Sequence, residues 1–400
     1  MRDTSGGISY RVTDGLALDK SYRQFASAGR KLGDPVVLDL SRLEYLNHEA
    51  LLYLGALVRF RVLRNQDTLF ELPKHQRVWE FMRAWNFPQF IAAVVGRPFG
   101  EVLTMDSRVR FERDQTSFPR YAKVIELPGG GLSELLPTGH FQITPIELSA
   151  NPFRAATIAQ ASWLERHTLS ILNAYLGGEG DRVGSLVVLE AVLNAAMHAE
   201  AQMAFTSSQI VLPHMQGPSG RRTLQIAVWD DGLPLAATLK RRTENGQTIT
   251  SPAFEAVQET FRVRLIRSTG REEVRILHSG SSELPEDFPW LTVAAFMAGV
   301  TSLPDRPAQQ PGKDDRGRDI GLNFPGMGLH YIRRNVLNLW NGSIRYWANS
   351  YRFSMRASDL QDYYDVMVQY RPRDSWPLQG NLLYLDIPLD GRRLGDTVDV

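Results

Sequence analysis

The sequence predicts an α/β protein built from two modules, and three observations carry that expectation. Short β-prone runs alternate with amphipathic helical runs over the first hundred residues. A stretch rich in Arg, Pro and Gly then interrupts the pattern at 105–140, with Pro128 to Gly131 as the clearest break. Beyond it, helical runs return among alternating strand-like segments as far as Pro388. With 400 residues, 43% hydrophobic and 22% charged, the chain has globular composition and room for two or three cores. Lys+Arg 45 against Asp+Glu 44 leaves a net charge of +1, so no global field favours nucleic acid or an anionic membrane. The absence of cysteine excludes disulfides, thiolate metal sites and cysteine nucleophiles, and fits a reducing cytoplasm. No run approaches the ~20 apolar residues a bilayer needs, and the first residues lack the apolar core of a signal peptide. The expectation is a soluble, cytoplasmic chain without membrane contact.

In the first module, Pro35 to Ser41 reads as a short buried strand and Ala50 to Leu63 as a helix. Thr68 to Pro73 reads as a second strand and Val78 to Phe90 as a second amphipathic helix. The order and wording of Val36 to Ser41, Leu43 to Asn47 and the helix from Ala50 resemble a STAS domain, the fold of the anti-sigma-factor antagonists. The resemblance covers roughly residues 8 to 95 of a unit bounded at 1–104. That family carries a phosphorylatable serine just after the second of these pieces, where this chain has Asn47, His48, Glu49 and Ala50. A serine switch is therefore not expected. A generic α/β docking domain is the alternative reading.

Residues 105–140 read as a connection with a short β segment, and Asn151 to Leu176 as a helix ended by Gly177 to Gly180. The next helix is the informative one. Glu190, Asn194 and His198 stand four residues apart and share one side. Leu186, Leu189, Leu193 and Met197 form an apolar stripe, with Val188, Val192 and Ala195 on the far side. If that helix is buried, its polar line needs partners, and a hydrated metal with a polyphosphate would satisfy it. If it is partly exposed, water does.

Downstream, Thr223 to Trp229 alternates as a strand and runs into Asp230, Asp231 and Gly232. A carboxylate at a strand end beside a Gly turn can accept from a base amino group while the backbone comes close. It can equally be an ordinary turn. Gly326 and Gly328 open an amphipathic helix whose Leu329, Ile332, Val336 and Leu339 share a face before Asn341 and Gly342 stop it. Glycines at such a start expose N–H groups to an anion, or simply start a helix.

The order of these pieces resembles the GHKL ATPase superfamily, and their wording is closest to the anti-sigma serine/threonine kinases. Glu190 to His198 matches the N-box of that family. Ala298 to Ser302 followed by Gly326 to Leu329 matches the lid and second glycine box, and Gly380 to Leu389 the last strand. The resemblance spans about residues 140 to 390. It implies a Bergerat-fold α/β two-layer sandwich over 141–400, with a lid at about 294–325. It also implies ATP and Mg²⁺ as cofactors. By the same resemblance Glu190 is the general base, Asn194 the Mg²⁺ ligand through its side-chain oxygen, and Asp230 the acceptor for the adenine amino group. Gly232 lets the base approach, Gly326 and Gly328 line the phosphates, and Leu329 begins the helix that donates to them. Thr301 belongs to the lid, and His198 is either a nucleotide-side residue or a satisfied buried histidine. Pro234 stands where the family has a second glycine, and Asn381 where it commonly has Thr.

The activity implied is a Mg²⁺-dependent ATPase or serine/threonine kinase in regulation or stress signalling, with a protein partner that is either regulator or phosphoacceptor. A homodimer is compatible with it. The alternative is an ATP-gated switch or assembly factor, in DNA handling or defence against phage, with slow hydrolysis. The phosphoacceptor helix of histidine kinases is absent; His48 and Glu49 match only its first two residues. The segment at about 236–290 is an insertion for a minimal domain of this type. It holds an expected hairpin, Phe261 to Ile266 with Glu273 to Leu277, bearing Arg262, Arg264, Arg267, Arg271 and Arg275. These arginines suit nucleic acid or an acidic partner, or are a solvated strand face. Lys313, Arg316 and Arg318 in the lid could reach a γ-phosphate on closure.

Overall fold

The computed structural model describes residues 8–16, 36–114, 140–146, 148, 187, 190–195, 200–211, 223–246, 249, 258–267, 269–279, 288–298, 300, 312–313, 319–320, 328–349, 351–360, 363–370 and 378–389. The protein is mixed α/β, with helices around a large, mostly antiparallel sheet. At the N-terminal end, β1 (Ile8–Leu16), β2 (Val36–Leu46) and β3 (Thr68–Glu71) form a parallel three-stranded sheet in that order. Strand β2 runs past Ser41 through the piece that begins at Leu43. It ends at Leu46, and the next residue, Asn47, caps α1 (His48–Val62), its Oδ1 accepting from Ala50 N at 2.9 Å.

Helix α1 is buried from His48 to Arg61, because it is covered on two sides, by the small sheet and by the large one. The single helix expected over Val78 to Phe90 is two, α2 (Gln76–Ala84) and α3 (Phe87–Val95). Asn86 between them has φ +60°, a left-handed conformation that Asn tolerates better than most residues, and Pro88 sits in the first turn of α3. The expected connection also differs at its start, where Met105–Asp114 forms α4. Ser107 Oγ of that helix accepts from Leu72 N at 2.9 Å, which ties it to the end of β3. The remainder of the connection to 139 and the expected helix from Asn151 to Leu176 lie outside the described residues.

Among the described residues the large sheet has nine strands, in the order β4-β5-β6-β14-β11-β12-β13-β7-β8. They are β4 (His140–Ile146), β5 (Ala204–Val211), β6 (Thr223–Asp230), β7 (Thr260–Arg267), β8 (Glu272–His278), β11 (Ser343–Ala348), β12 (Tyr351–Ala357), β13 (Tyr363–Tyr370) and β14 (Asn381–Pro388). Among the described strands of this sheet only β13 and β7 pair in parallel. The hairpin β7–β8 forms at the expected place and extends the sheet at one edge. A separate pair of short strands, β9 (Gly312–Lys313) and β10 (Asp319–Ile320), lies in the expected lid region.

Strand alternation gives the large sheet two buried faces. One meets the N-terminal layer: the Phe90 ring of α3 stands edge-on to Phe205 and Trp229, and the Tyr53 ring of α1 to Trp347. The other face carries Tyr346 and Phe353, against which Phe296 packs edge-on. On that side lie the helix carrying Glu190 (α5, residues 190–195), α6 (Leu235–Glu244), α7 (Phe288–Ala294) and α8 (Gly328–Arg333). Helix α8 passes into a π turn, Arg334–Leu339. The extra residue in that turn rotates the residues after it, so Ile332 and Val336 are fully buried while Leu339 is 37% exposed instead of sharing their face. Among the described residues no helix is long and apolar enough to cross a membrane.

Candidate functional site

Three of the residues singled out in the sequence meet at one point. On α5, Asn194 Nδ2 donates to the Glu190 carbonyl at 2.7 Å, which folds the amide back along the helix. Gly328, the first residue of α8, comes against both side chains. A Cβ there would stand 2.6 Å from Glu190 Oε2, 3.2 Å from Asn194 Nδ2 and 3.6 Å from Asn194 Oδ1. Only glycine fits without displacing the carboxylate. The Glu190 side chain retains some solvent contact, but burial of its carboxyl pushes the pKa up to about 7. Leu329 follows on α8, partly buried against the core.

A second group is built where β6 ends. Asp230 is the register partner of Asn381 on β14, so both point to the helix-covered face. Asp230 Oδ1 accepts from Gly232 N at 3.0 Å and from Asn381 Nδ2 at 2.8 Å. Burial raises this carboxyl to about 7. Those two hydrogen bonds oppose the rise, and the adjacent charge of Asp231 adds to it. Asn381 also donates to Leu233 O at 2.9 Å and accepts from Leu235 N at 3.2 Å and from the Tyr346 hydroxyl. Its amide therefore fixes the turn on both sides, with the donor and acceptor ends both used. Gly380, with φ +83°, is required beside it, since a Cβ would stand 1.7 Å from Asp230 O. Pro234 leads into α6 and accepts from Ala237 N at 2.8 Å.

Below the first group, α8 is held by a buried ion cluster that was not foreseen. Arg333 Nε donates to Phe296 O at 2.9 Å, and its guanidinium reaches Glu259 and lies 2.7 Å from His330 Nδ1. Burial alone would raise the Glu259 carboxyl, but His330 and Arg333 together bring it down to about 2. A sequence signal existed, since His330 and Arg333 fall one turn apart on one helix, but their carboxylate comes from about seventy residues earlier. Tyr346 and the pair Arg59–Asp231 were also unforeseen. His198, Thr301 and Gly326 lie outside the described residues, as do Arg316 and Arg318, and Lys313 is described only in its backbone.

Four arginines of the hairpin meet its own or neighbouring carboxylates: Arg262 reaches Asp365 and Arg275 reaches Glu273, each at 2.7 Å, Arg264 pairs with Glu272, and Arg267 reaches Glu273 at 3.4 Å. The four arginine side chains are 36% to 60% exposed. Among the described residues no group of three or more His, Asp or Glu is arranged to hold a metal ion. A Mg²⁺ carried by phosphate oxygens and water needs only one or two protein ligands, and the Asn194 amide beside the Glu190 carboxyl is a donor set of that kind. No family model matches the chain, and no curated protein or solved structure is significantly similar to it.

Proposed function

We propose that the chain binds ATP with Mg²⁺ in the manner of a GHKL protein and acts as an ATPase or serine/threonine kinase of the anti-sigma type, with a STAS-like N-terminal layer. The observation that carries this reading is the approach of Gly328 to Glu190 and Asn194. These residues are more than 130 positions apart, and they are the ones the GHKL resemblance assigns to phosphate, base and metal. An uncharged backbone at a helix start beside a carboxyl and an amide accommodates a polyphosphate without a side chain in the way.

The carboxyl of Glu190, raised to about 7, is matched to taking a proton from a nucleophile near neutral pH. Asn194 presents its amide at the same point. Asp230, anchored by Asn381 and Gly232, accepts from the base amino group, and those new donors favour its ionised form. Mg²⁺, when bound, neutralises charge on the phosphates. The nucleophile is water for an ATPase and a partner hydroxyl for a kinase. The switch reading draws support from a separate fact, that the Asp230 turn is tied to the N-terminal layer.

Incubation with γ-labelled ATP and Mg²⁺, following label into phosphate and onto protein, tests the proposal. Glu190→Ala is expected to abolish both products while ATP still binds. Undiminished phosphate release from Glu190→Ala would refute the assigned role.

A further inference from the structure

The turn after β6 belongs to both faces of the large sheet. Asp230 points to the helix-covered face with Asn381, and the next carboxylate turns the other way. Through Oδ1, Asp231 accepts from Gln202 N at 2.7 Å and Met203 N at 2.9 Å, and through Oδ2 from Arg59 Nε at 2.8 Å. Arg59 stands in the last turn of α1, and its Nη2 also donates to Gln202 Oε1 at 2.6 Å. Gln379 adds a second tie, since its N donates to Ala56 O of α1 at 3.2 Å and its Nε2 to Asp231 O at 3.0 Å. The ion pair is nearly dry, with 10% and 2% of the two side chains exposed. At that burial, desolvation offsets most of the Coulomb attraction, so such a pair adds little over an apolar contact. What it supplies is position.

We infer that Arg59, on the N-terminal layer, is a positioning residue for the base-recognition end of the site, holding Asp231 so that the Asp230–Gly232 turn presents Asp230 to a base amino group. The inference rests on the ATP reading. It makes the N-terminal layer part of nucleotide selection, through Asp231. The coupling is reciprocal, so a nucleotide that engages Asp230 also tightens the layer against the sheet.

Calorimetric binding to the full chain tests it with three probes: ATP, ITP, which has an oxo group in place of the base amino group, and tripolyphosphate, which has no base. Wild type is expected to prefer ATP to ITP, and Asp230→Ala to lose that preference. Arg59→Met should weaken ATP about tenfold while ITP and tripolyphosphate change less than about twofold, with part of the loss recovered in Arg59→Lys. Asp231→Asn, which keeps the shape of the pair, should show the same selective loss and serves if Arg59→Met does not fold. An ATP preference left intact in Arg59→Met overturns this inference and leaves the ATP reading standing. All three probes weakening together also overturns it, since the pair is then structural only. A wild type that binds ATP no better than ITP removes the role of Asp230, and the inference falls with it.

Discussion

Asp230 at the end of β6 and Glu259 beneath α8 are buried almost equally, with 5% and 6% exposure, yet one carboxyl is pushed up to about 7 and the other held at about 2. Glu259 has a guanidinium and an imidazole against it. Among the described residues Asp230 has an amide and a backbone N–H, and a second carboxylate as its neighbour. Glu190 resembles Asp230, raised by burial with Gly328 in contact. Depth therefore does not decide ionisation here; the partner does. The cluster under α8 balances its charges within the protein, although Glu259 Oε2 and Arg333 Nη1 are buried without a hydrogen-bond partner among the described residues, whereas the rise at Asp230 and Glu190 comes chiefly from burial.

The sharpest way to break this contrast is Arg333→Met, which strands the Glu259 carboxylate. It should cost about 3–5 kcal/mol in urea denaturation at pH 7. Adding Glu259→Gln should restore much of that loss, and no recovery would mean the cluster does not act as an ion pair.

Glu190→Gln should move stability the other way. The folded pKa of about 7 lies above the unfolded value of 4.5, so the native state gives up stability as pH rises from 4.5 through 7. The amide variant should be more stable than wild type at pH 8 by up to about 3 kcal/mol, and equal to it at pH 4. Glu259→Gln has the opposite profile, because a folded value near 2 gives stability that is present above 4.5 and lost as pH falls through 2. Stability measured from pH 3 to 8 separates the two, and parallel curves would remove the contrast.

Gly328→Ala pushes a methyl against the Glu190 carboxylate, the free end of a flexible side chain that can swing aside, so stability should fall by only about 1 kcal/mol or less. If Glu190 is the base of the proposed reaction, phosphate release should fall further than stability, by roughly 10²-fold or more. Equal losses in turnover and stability would reduce Gly328 to a packing residue. The smallest effect is expected from Arg262→Ala on the hairpin, whose exposed pair with Asp365 should leave the denaturation midpoint unchanged.

Much of the architecture was legible because it is local. Alternation over Thr223 to Trp229 is a period-two signal, and the segment is an inner strand of the large sheet, beside Asn381–Pro388, which the family resemblance marked as the last strand. The hairpin from Phe261 to Leu277 was legible for the same reason, with a Gly-containing turn between alternating runs. Two helix boundaries were not. The break at Asn86 depends on one left-handed residue, and the π turn after Arg333 on how the helix end meets β11 and β14.

In the site, spacing alone put Glu190 and Asn194 on one side of a helix, and the order of motifs pointed to Gly328. Residue types at the β6 end likewise marked Asp230 and Gly232 as a carboxylate beside a tight turn. Sequence determined these because each is a matter of period or of one residue's conformational range. Only the tertiary structure decided that Gly328 abuts Glu190, that Asn381 and Tyr346 secure the Asp230 turn, and that Asp231 faces Arg59, 172 positions earlier in the chain. Those contacts join segments far apart in the chain. They follow from which faces of two sheets cover one another, and no local pattern encodes that.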